Sequence, residues 1–476
     1  MQGVRYVSTR GDAPLLAFDD TVIAGLATDG GLYLPERWPR FKVDALELMR
    51  DLDYPALCAR VIAAFAVPAV SEAELAEIAA DAYRAFDHED VAPLKPLGEG
   101  TWMLELFHGP TLAFKDYALQ VLGRLFELVL TRRGTRMTIV GATSGDTGSA
   151  AIEACRERPA IEIFMLHPKG RVSEVQRRQM TTVTSANVHN IAVEGTFDDC
   201  QTLVKDMFND APFRERFHLG AVNSINWARI VAQVVYYVRA ALALGAPERP
   251  VSFAVPTGNF GNVFAGYVAR QIGVPIKRLI IGSNRNDILT RFFATGRMEL
   301  GEVFPTISPS MDIQVSSNFE RLLFELYDRD GAAVRRLMAE FREHKAFTVA
   351  PDRLRRAQAL FKAVRFDDEE TRSAIRDVFA QTGALIDPHS AIGVAASRAA
   401  SRDGGRDGDV PTVVLATAHA AKFPDAVEVA TGIRPALPPR LANLFELPER
   451  CNVLPADLAA IEDHVATTLK RREAVA

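Results

Sequence analysis

Between residues 101 and 430 the chain switches repeatedly between two hydrophobic patterns. Short, nearly continuous apolar runs occur at MTIVGA (137–142), IEIFML (161–166), VHNIAVE (188–194), VSFAVP (251–256), KRLIIGS (277–283) and TVVLAT (412–417). Between them lie stretches with helical spacing, such as SEVQRRQM and the long INWARIVAQVVYYVRAALAL. Runs apolar at successive positions belong to strands covered on both faces, and their alternation with helices is the βαβ rhythm of a parallel sheet. The first 98 residues differ: residues 55–87 carry helical spacing, with Ser71 and Glu74 placed as a capping box. VAPLKPLGEG (91–100) reads as a proline-marked connector, 402–409 (RDGGRDGD) as a flexible surface loop, and 434–455 as irregular chain wrapping the surface. These breaks predict three parts: an N-terminal helical or mixed domain (1–98), an α/β region of two subdomains (99–430) and a C-terminal wrapping segment (431–476).

With 476 residues, 48% hydrophobic and 24% charged, the chain can bury more than one core. A net charge of −5 offers no broad basic field, which excludes nucleic acid as the expected partner. No apolar run is long enough to span a bilayer, and the N-terminus lacks the apolar core of a signal peptide. Cys58, Cys155, Cys200 and Cys451 are far apart without C-x-x-C spacing, so reduced thiols are expected rather than a disulfide frame or metal site. The expected address is cytoplasmic, and monomer and homodimer are both compatible with this composition.

Two glycine-rich turns change the picture. GATSGDTGS (Gly141–Ser149) follows the strand MTIV, and PTGNFGN (Pro256–Asn262) follows VSFAV. Each leads into a predicted helix, whose unpaired N–H groups and positive end form an anion site where glycine lets a ligand approach the backbone. Neither is a Walker loop or a G-x-G-x-x-G fingerprint. Two such cradles suit a phosphorylated cofactor together with an anionic substrate. FHGPTLAFKDY (107–117) adds a lysine, Lys115, between Phe114 and Asp116. A lysine held among aromatics loses stabilisation of its charge and becomes nucleophilic, although most lysines are solvated surface groups. His108 reads as a structural histidine. Residue types and spacing thus predict an α/β enzyme for phosphorylated ligands with a candidate lysine.

The blocks HGPTLAFKD, GATSGDTGSAA, NSINWARI, PTGNFGN, QVSSNFERL and ATAHAAKFP, in this order, resemble the threonine synthases of the longer branch, and YVSTRG…TDGGLYLPE is similar to their N-terminal extension. The resemblance runs from about residue 5 to residue 425 and implies the fold-type II pyridoxal-phosphate (PLP) architecture, tryptophan synthase β-like. In that architecture two open, twisted, mostly parallel sheets are flanked by helices. It implies that Lys115 bonds the cofactor and that Gly258, Asn259, Phe260, Gly261 and Asn262 cradle its phosphate. Asp146 would lie near the cofactor's 3′-oxygen, and Thr417 would hydrogen-bond the ring nitrogen. Ser144 and Thr147 are implied at the substrate carboxylate, Thr143 among the substrate-binding residues, and Asn223, Ser224 and Arg229 at the substrate phosphate. Ser317, Asn318, Arg321 and Lys422 are implied near the site. Ala420 departs from the pattern, since the family usually has proline there.

The activity so implied is conversion of O-phospho-L-homoserine and water to L-threonine and phosphate, by γ-elimination and β-addition of water. A phospho-lyase releasing 2-oxobutyrate would share Lys115 and the phosphate pocket. A catalytically silent binding protein would keep only the fold.

Overall fold

The computed structural model describes residues 3–98, 100–402 and 410–473, so the loop expected at 402–409 lies, except for Arg402, outside the described residues. The chain divides into two compact units, one of residues 1–118 and 224–436 and the other of residues 119–223 and 437–476. The expected segment 1–98 lies inside the first unit, and most of 431–476 belongs to the second.

The first unit is built on a six-stranded sheet, in the order Phe361–Arg365, Ile276–Ser283, Val251–Pro256, Thr412–Ala416, Thr101–Glu105 and Leu94–Gly98. All neighbours run parallel except the last pair. Val251–Pro256 is buried at every position, because the helices Gly261–Gln271 and Pro388–Ala400 both pack on it. This is the cover that a continuous apolar run demands. The helix Trp227–Ala243 is buried over most of its length and packs on both Gly261–Gln271 and Tyr54–Ala66.

N-terminal helices in this unit start where capping chemistry places them. Asp53 accepts from the backbone of Ala56 to begin Tyr54–Ala66. Ser71 and Glu74 form the reciprocal box that begins Glu72–Tyr83.

The second unit holds an all-parallel sheet of five strands, ordered Asn452–Pro455, Val188–Glu194, Ile161–Pro168, Met137–Ala142 and Leu219–Gly220. The C-terminal helix Leu458–Glu473 places Ile461, Val465 and Leu469 into the core beside Val140, Phe164 and Ile191.

Two sequence expectations need correction. The connector 91–100 contains the strand Leu94–Gly98, which pairs antiparallel with Thr101–Glu105. An edge position tolerates Pro96, and the strand's exposed residues hide its pattern. The stretch 434–455, expected to be irregular, ends in the strand Asn452–Pro455, whose partner Val188–Glu194 supplies the order that the sequence lacks.

Candidate active site

Three neighbouring parallel strands of the first unit, Val251–Pro256, Thr412–Ala416 and Thr101–Glu105, end on the same side of the sheet. In such sheets ligands sit beyond the carboxyl ends of strands. The glycine turn follows the first strand, Thr417 follows the second, and the chain leading to Lys115 follows the third. Two strand spacings put the outer pair roughly 10 Å apart.

The lysine loop is held tightly. The backbone N–H of Thr111 donates to Asp116 Oδ2 at 2.8 Å, and its hydroxyl donates to Oδ1 at 2.7 Å. Gly109 lies so close that a Cβ there would meet Asp116 Cβ at 2.5 Å. Leu112 takes a left-handed backbone, φ +63°, which is costly for a branched residue and typical of over-determined sites. The loop then runs against the segment after the sheet's Thr412–Ala416 strand: Phe114 N donates to Thr417 O at 2.9 Å, and His419 N to Leu112 O at 3.0 Å. Lys115 is half-buried at the first position of the helix Lys115–Arg133, its Nζ 5.8 Å from the centroid of Phe114. His108 ties Asp87 to Glu105, its Nδ1 3.0 Å from one carboxylate and its Nε2 2.9 Å from the other. That is a structural arrangement.

The turn Thr257–Phe260 leads into the helix Gly261–Gln271, with Phe260 left-handed at the N-cap, φ +69°. Its carbonyls are tied back: Ser316 Oγ donates to Gly258 O at 2.8 Å, and Asn318 N to Asn259 O at 3.1 Å. The helix's first N–H groups have no helical carbonyl to satisfy them, an arrangement that suits an anion. Asn262 is buried. Its Oδ1 accepts from Tyr236 (2.7 Å) and Tyr237 (3.0 Å), while its Nδ2 is buried with no protein partner.

Arg229 is 4% exposed, and its Nε and Nη1 are buried without partners. Burial pushes its pKa down to about 10. A bare buried guanidinium is costly, and an anion is the partner that offsets the cost. Asn223 Oδ1 is likewise buried and unpartnered. Ser224 Oγ accepts from Asn259 Nδ2, joining this segment to the glycine turn.

Other expected residues serve within the protein. Arg321 and Lys422 are both 0% exposed. Arg321 donates to the carbonyls of Tyr33 and Ile225 and to Asn318, and Lys422 donates to the carbonyl of Thr111 at 2.8 Å. Each thus directs donors at backbone or amide oxygens of the surrounding segments. Ser317 is exposed, whereas its neighbour Ser316, overlooked in the sequence, makes the bond to the turn. Despite Ala420, residues Ala420–Lys422 form a 3-10 turn, capped by His419 Nδ1 accepting from Ala421 N at 3.1 Å.

In the second unit, Thr143 is buried and its hydroxyl accepts from Gly145 N (3.0 Å) and Gly148 N (2.8 Å), shaping the turn from inside. Ser144 is exposed and Thr147 half-buried. Asp146 begins the helix Asp146–Cys155 and accepts from Gln176 Nε2 at 2.8 Å, so its carboxylate is braced within the unit.

Three residues near Thr417 escaped sequence reasoning. Ser390 Oγ accepts from Thr417 N at 3.0 Å and donates to Asp387, whose Oδ2 lies 2.7 Å from His389 Nδ1. His389 Nε2 accepts from Ser310 N at 3.2 Å. D-P-H-S signals a helix start, and Asp387 does cap Pro388–Ala400; its second use depends on residues distant in sequence.

A glycine turn at a helix start with its carbonyls tied back, a hydroxyl at the middle strand end and an amine at the third fit a phosphorylated aromatic cofactor bound through a lysine. Among the described residues no cluster of three or more His, Cys, Asp or Glu could hold a metal ion, and no helix is long and apolar enough to cross a membrane.

Comparisons with known proteins agree with this geometry. Residues 5–83 match the family model "Threonine synthase N terminus", 91–340 "Pyridoxal-phosphate dependent enzyme" and 390–465 "Threonine synthase, C-terminal". The chain is 53% identical to a threonine synthase of Pseudomonas aeruginosa over 97% of its own length and 98% of that protein. It superposes on a PLP-bound threonine synthase of Brucella melitensis with a TM-score of 0.95 at 51% identity, covering 98% of this chain and 99% of that one. Against the yeast enzyme the TM-score is 0.94 at 37% identity, over 98% and 99% of the two chains.

Proposed function

The chain belongs to the threonine synthase family, and from that premise we propose how its own residues divide the work of converting phosphohomoserine to threonine. The fold is fold-type II and the cofactor is PLP. When bound, PLP supplies the electron sink that makes protons on the substrate carbon chain removable.

The Lys115 amine takes the proton from the substrate Cα and then one from Cβ, and it returns protons as the product forms. Thr417 offers its hydroxyl to the ring nitrogen, and Gly258–Asn262 hold the cofactor phosphate. Arg229, with Asn223 and Ser224, holds the substrate phosphate as it leaves from Cγ; fixed donors there stabilise the charge that develops on the leaving oxygen. Ser144 and Thr147 are the hydroxyls assigned to the substrate carboxylate. Arg321, Lys422, Thr143 and Asp146 are assigned to bracing. The reading includes addition of water at Cβ, which separates a synthase from a phospho-lyase releasing 2-oxobutyrate.

The observation that carries the pocket assignment is the buried guanidinium of Arg229 with two nitrogens unpartnered. Lys115→Ala tests the centre. Turnover and the visible absorbance of the lysine-bound cofactor should disappear together, and persistent turnover would remove Lys115 from its role. The four cysteines are free thiols, which supports a reducing, cytoplasmic setting.

A further inference from the structure

Arg321 is completely buried, and its hydrogen bonds reach three separate stretches of chain. Nε and Nη2 donate to the carbonyl of Tyr33 at 3.2 and 3.1 Å, Nη2 to the carbonyl of Ile225 at 2.6 Å, and Nη1 to Asn318 Oδ1. Asn318 continues the link. Its Nδ2 donates to Asn259 Oδ1 and to the carbonyl of Ser224 at 3.2 Å, and its backbone N–H donates to Asn259 O at 3.1 Å. Asn259 Nδ2 in turn donates to Ser224 Oγ.

A buried cation satisfied by neutral oxygens is a poor stabilising device, since a well-packed apolar residue gives as much stability. What a planar fork with five donors does supply is fixed geometry. The carboxylate next in sequence, Glu320, is engaged elsewhere: it accepts from Thr9 at 2.6 Å and makes a two-pronged pair with Arg10 at 3.0 and 2.9 Å. The N-terminal segment is thus joined to the helix Phe319–Leu326 by two adjacent residues, and Arg321 relays that attachment to Ser224 and Asn259.

We propose that Arg321 is a positioning residue which, through Asn318, locks the N-terminal segment, the Asn259 turn and Ser224 into one frame, so that the cofactor-phosphate cradle and the substrate-phosphate pocket are set together. The inference rests on the phosphate assignments proposed above. Its consequence is that one substitution at the link loosens both anion sites, although neither Asn318 nor Arg321 contributes charge to them.

The test uses Asn318→Ala and Arg321→Lys holoenzyme, with PLP affinity read from cofactor absorbance during resolution and reloading, and KM and kcat for phosphohomoserine read separately. The Asn318 side chain makes no capping bond to Phe319–Leu326, so its removal leaves that helix start intact. Loss of its buried hydrogen bonds should raise both the PLP Kd and the KM about tenfold, with a smaller fall in kcat. Arg321→Lys, keeping a cation but not the fork, should move both constants in the same direction. The frame is overturned if either constant stays at the wild-type value in Asn318→Ala, or if kcat falls while both affinities hold. Arg229→Ala separates the two ideas, because it should raise KM and leave PLP affinity alone. If Arg229→Ala leaves KM unchanged, the pocket assignment has failed. If it raises KM while Asn318→Ala moves neither constant, the frame has failed and the pocket stands.

Discussion

Lys422 Nζ donates to the carbonyl of Thr111 at 2.8 Å, joining residues far apart in sequence beside the loop that delivers Lys115. The same two segments are paired through Phe114 with Thr417 and through Leu112 with His419. Lys115 and the hydroxyl expected at the ring nitrogen are therefore set by one connected piece of structure. Lys422→Met keeps the apolar stem and removes a buried charged donor to that carbonyl, a loss of about 1–3 kcal/mol. A melting temperature lowered by several degrees and a fall in kcat are expected, measured by thermal denaturation and steady-state kinetics. An unchanged kcat would mean that the loop holds its place without this bond.

Arg229 predicts a pH dependence. Burial places its folded pKa at about 10, below the unfolded value. The buried charge is therefore a cost at neutral pH, and the cost fades as pH rises through that value. An anion offsets the cost only while the guanidinium is protonated. Inorganic phosphate should raise the melting temperature at neutral pH, and its affinity should fall as pH climbs through about 10. Arg229→Gln should abolish the stabilisation; equal stabilisation of that variant by phosphate would place the anion elsewhere.

Gly145 has φ +138°, and a Cβ there would lie 2.4 Å from the Gln176 side chain that holds Asp146. Gly145→Ala combines backbone strain of about 1–3 kcal/mol with displacement of that glutamine. Lower stability and a raised KM for phosphohomoserine are expected. A wild-type KM in a folded variant would show that the turn does not serve the substrate.

Ser71→Ala removes one half of a capping box on the exposed start of Glu72–Tyr83. The expected loss is about 1 kcal/mol of stability, seen in denaturant melts, with kcat and KM unchanged.

Much of the interior was readable from pattern. MTIVGA, VHNIAVE and VSFAVP form strands with the expected ends, because most of their positions are buried and the apolar residues there dominate the pattern. Leu94–Gly98, Phe361–Arg365 and Asn452–Pro455 went unseen. They lie at sheet edges, where one flank is unpaired and the sequence carries proline, lysine or asparagine without an alternating signal. The glycine turns and Lys115 could be found because their motifs are local. Arg321 shows where locality ends: nothing in SSNFER tells whether a guanidinium faces a phosphate or the carbonyl of Tyr33. Asp387 and Ser390 read as a helix cap, and only the fold brings Thr417 N to Ser390 Oγ.

Proton NMR of the PLP-loaded protein reacting with O-phospho-L-homoserine in water tests the whole assignment most directly. Threonine should accumulate as the substrate is lost, with phosphate released in equal amount. Accumulation of 2-oxobutyrate in place of threonine would contradict it, leaving the lysine and the scaffold but removing the addition of water at Cβ.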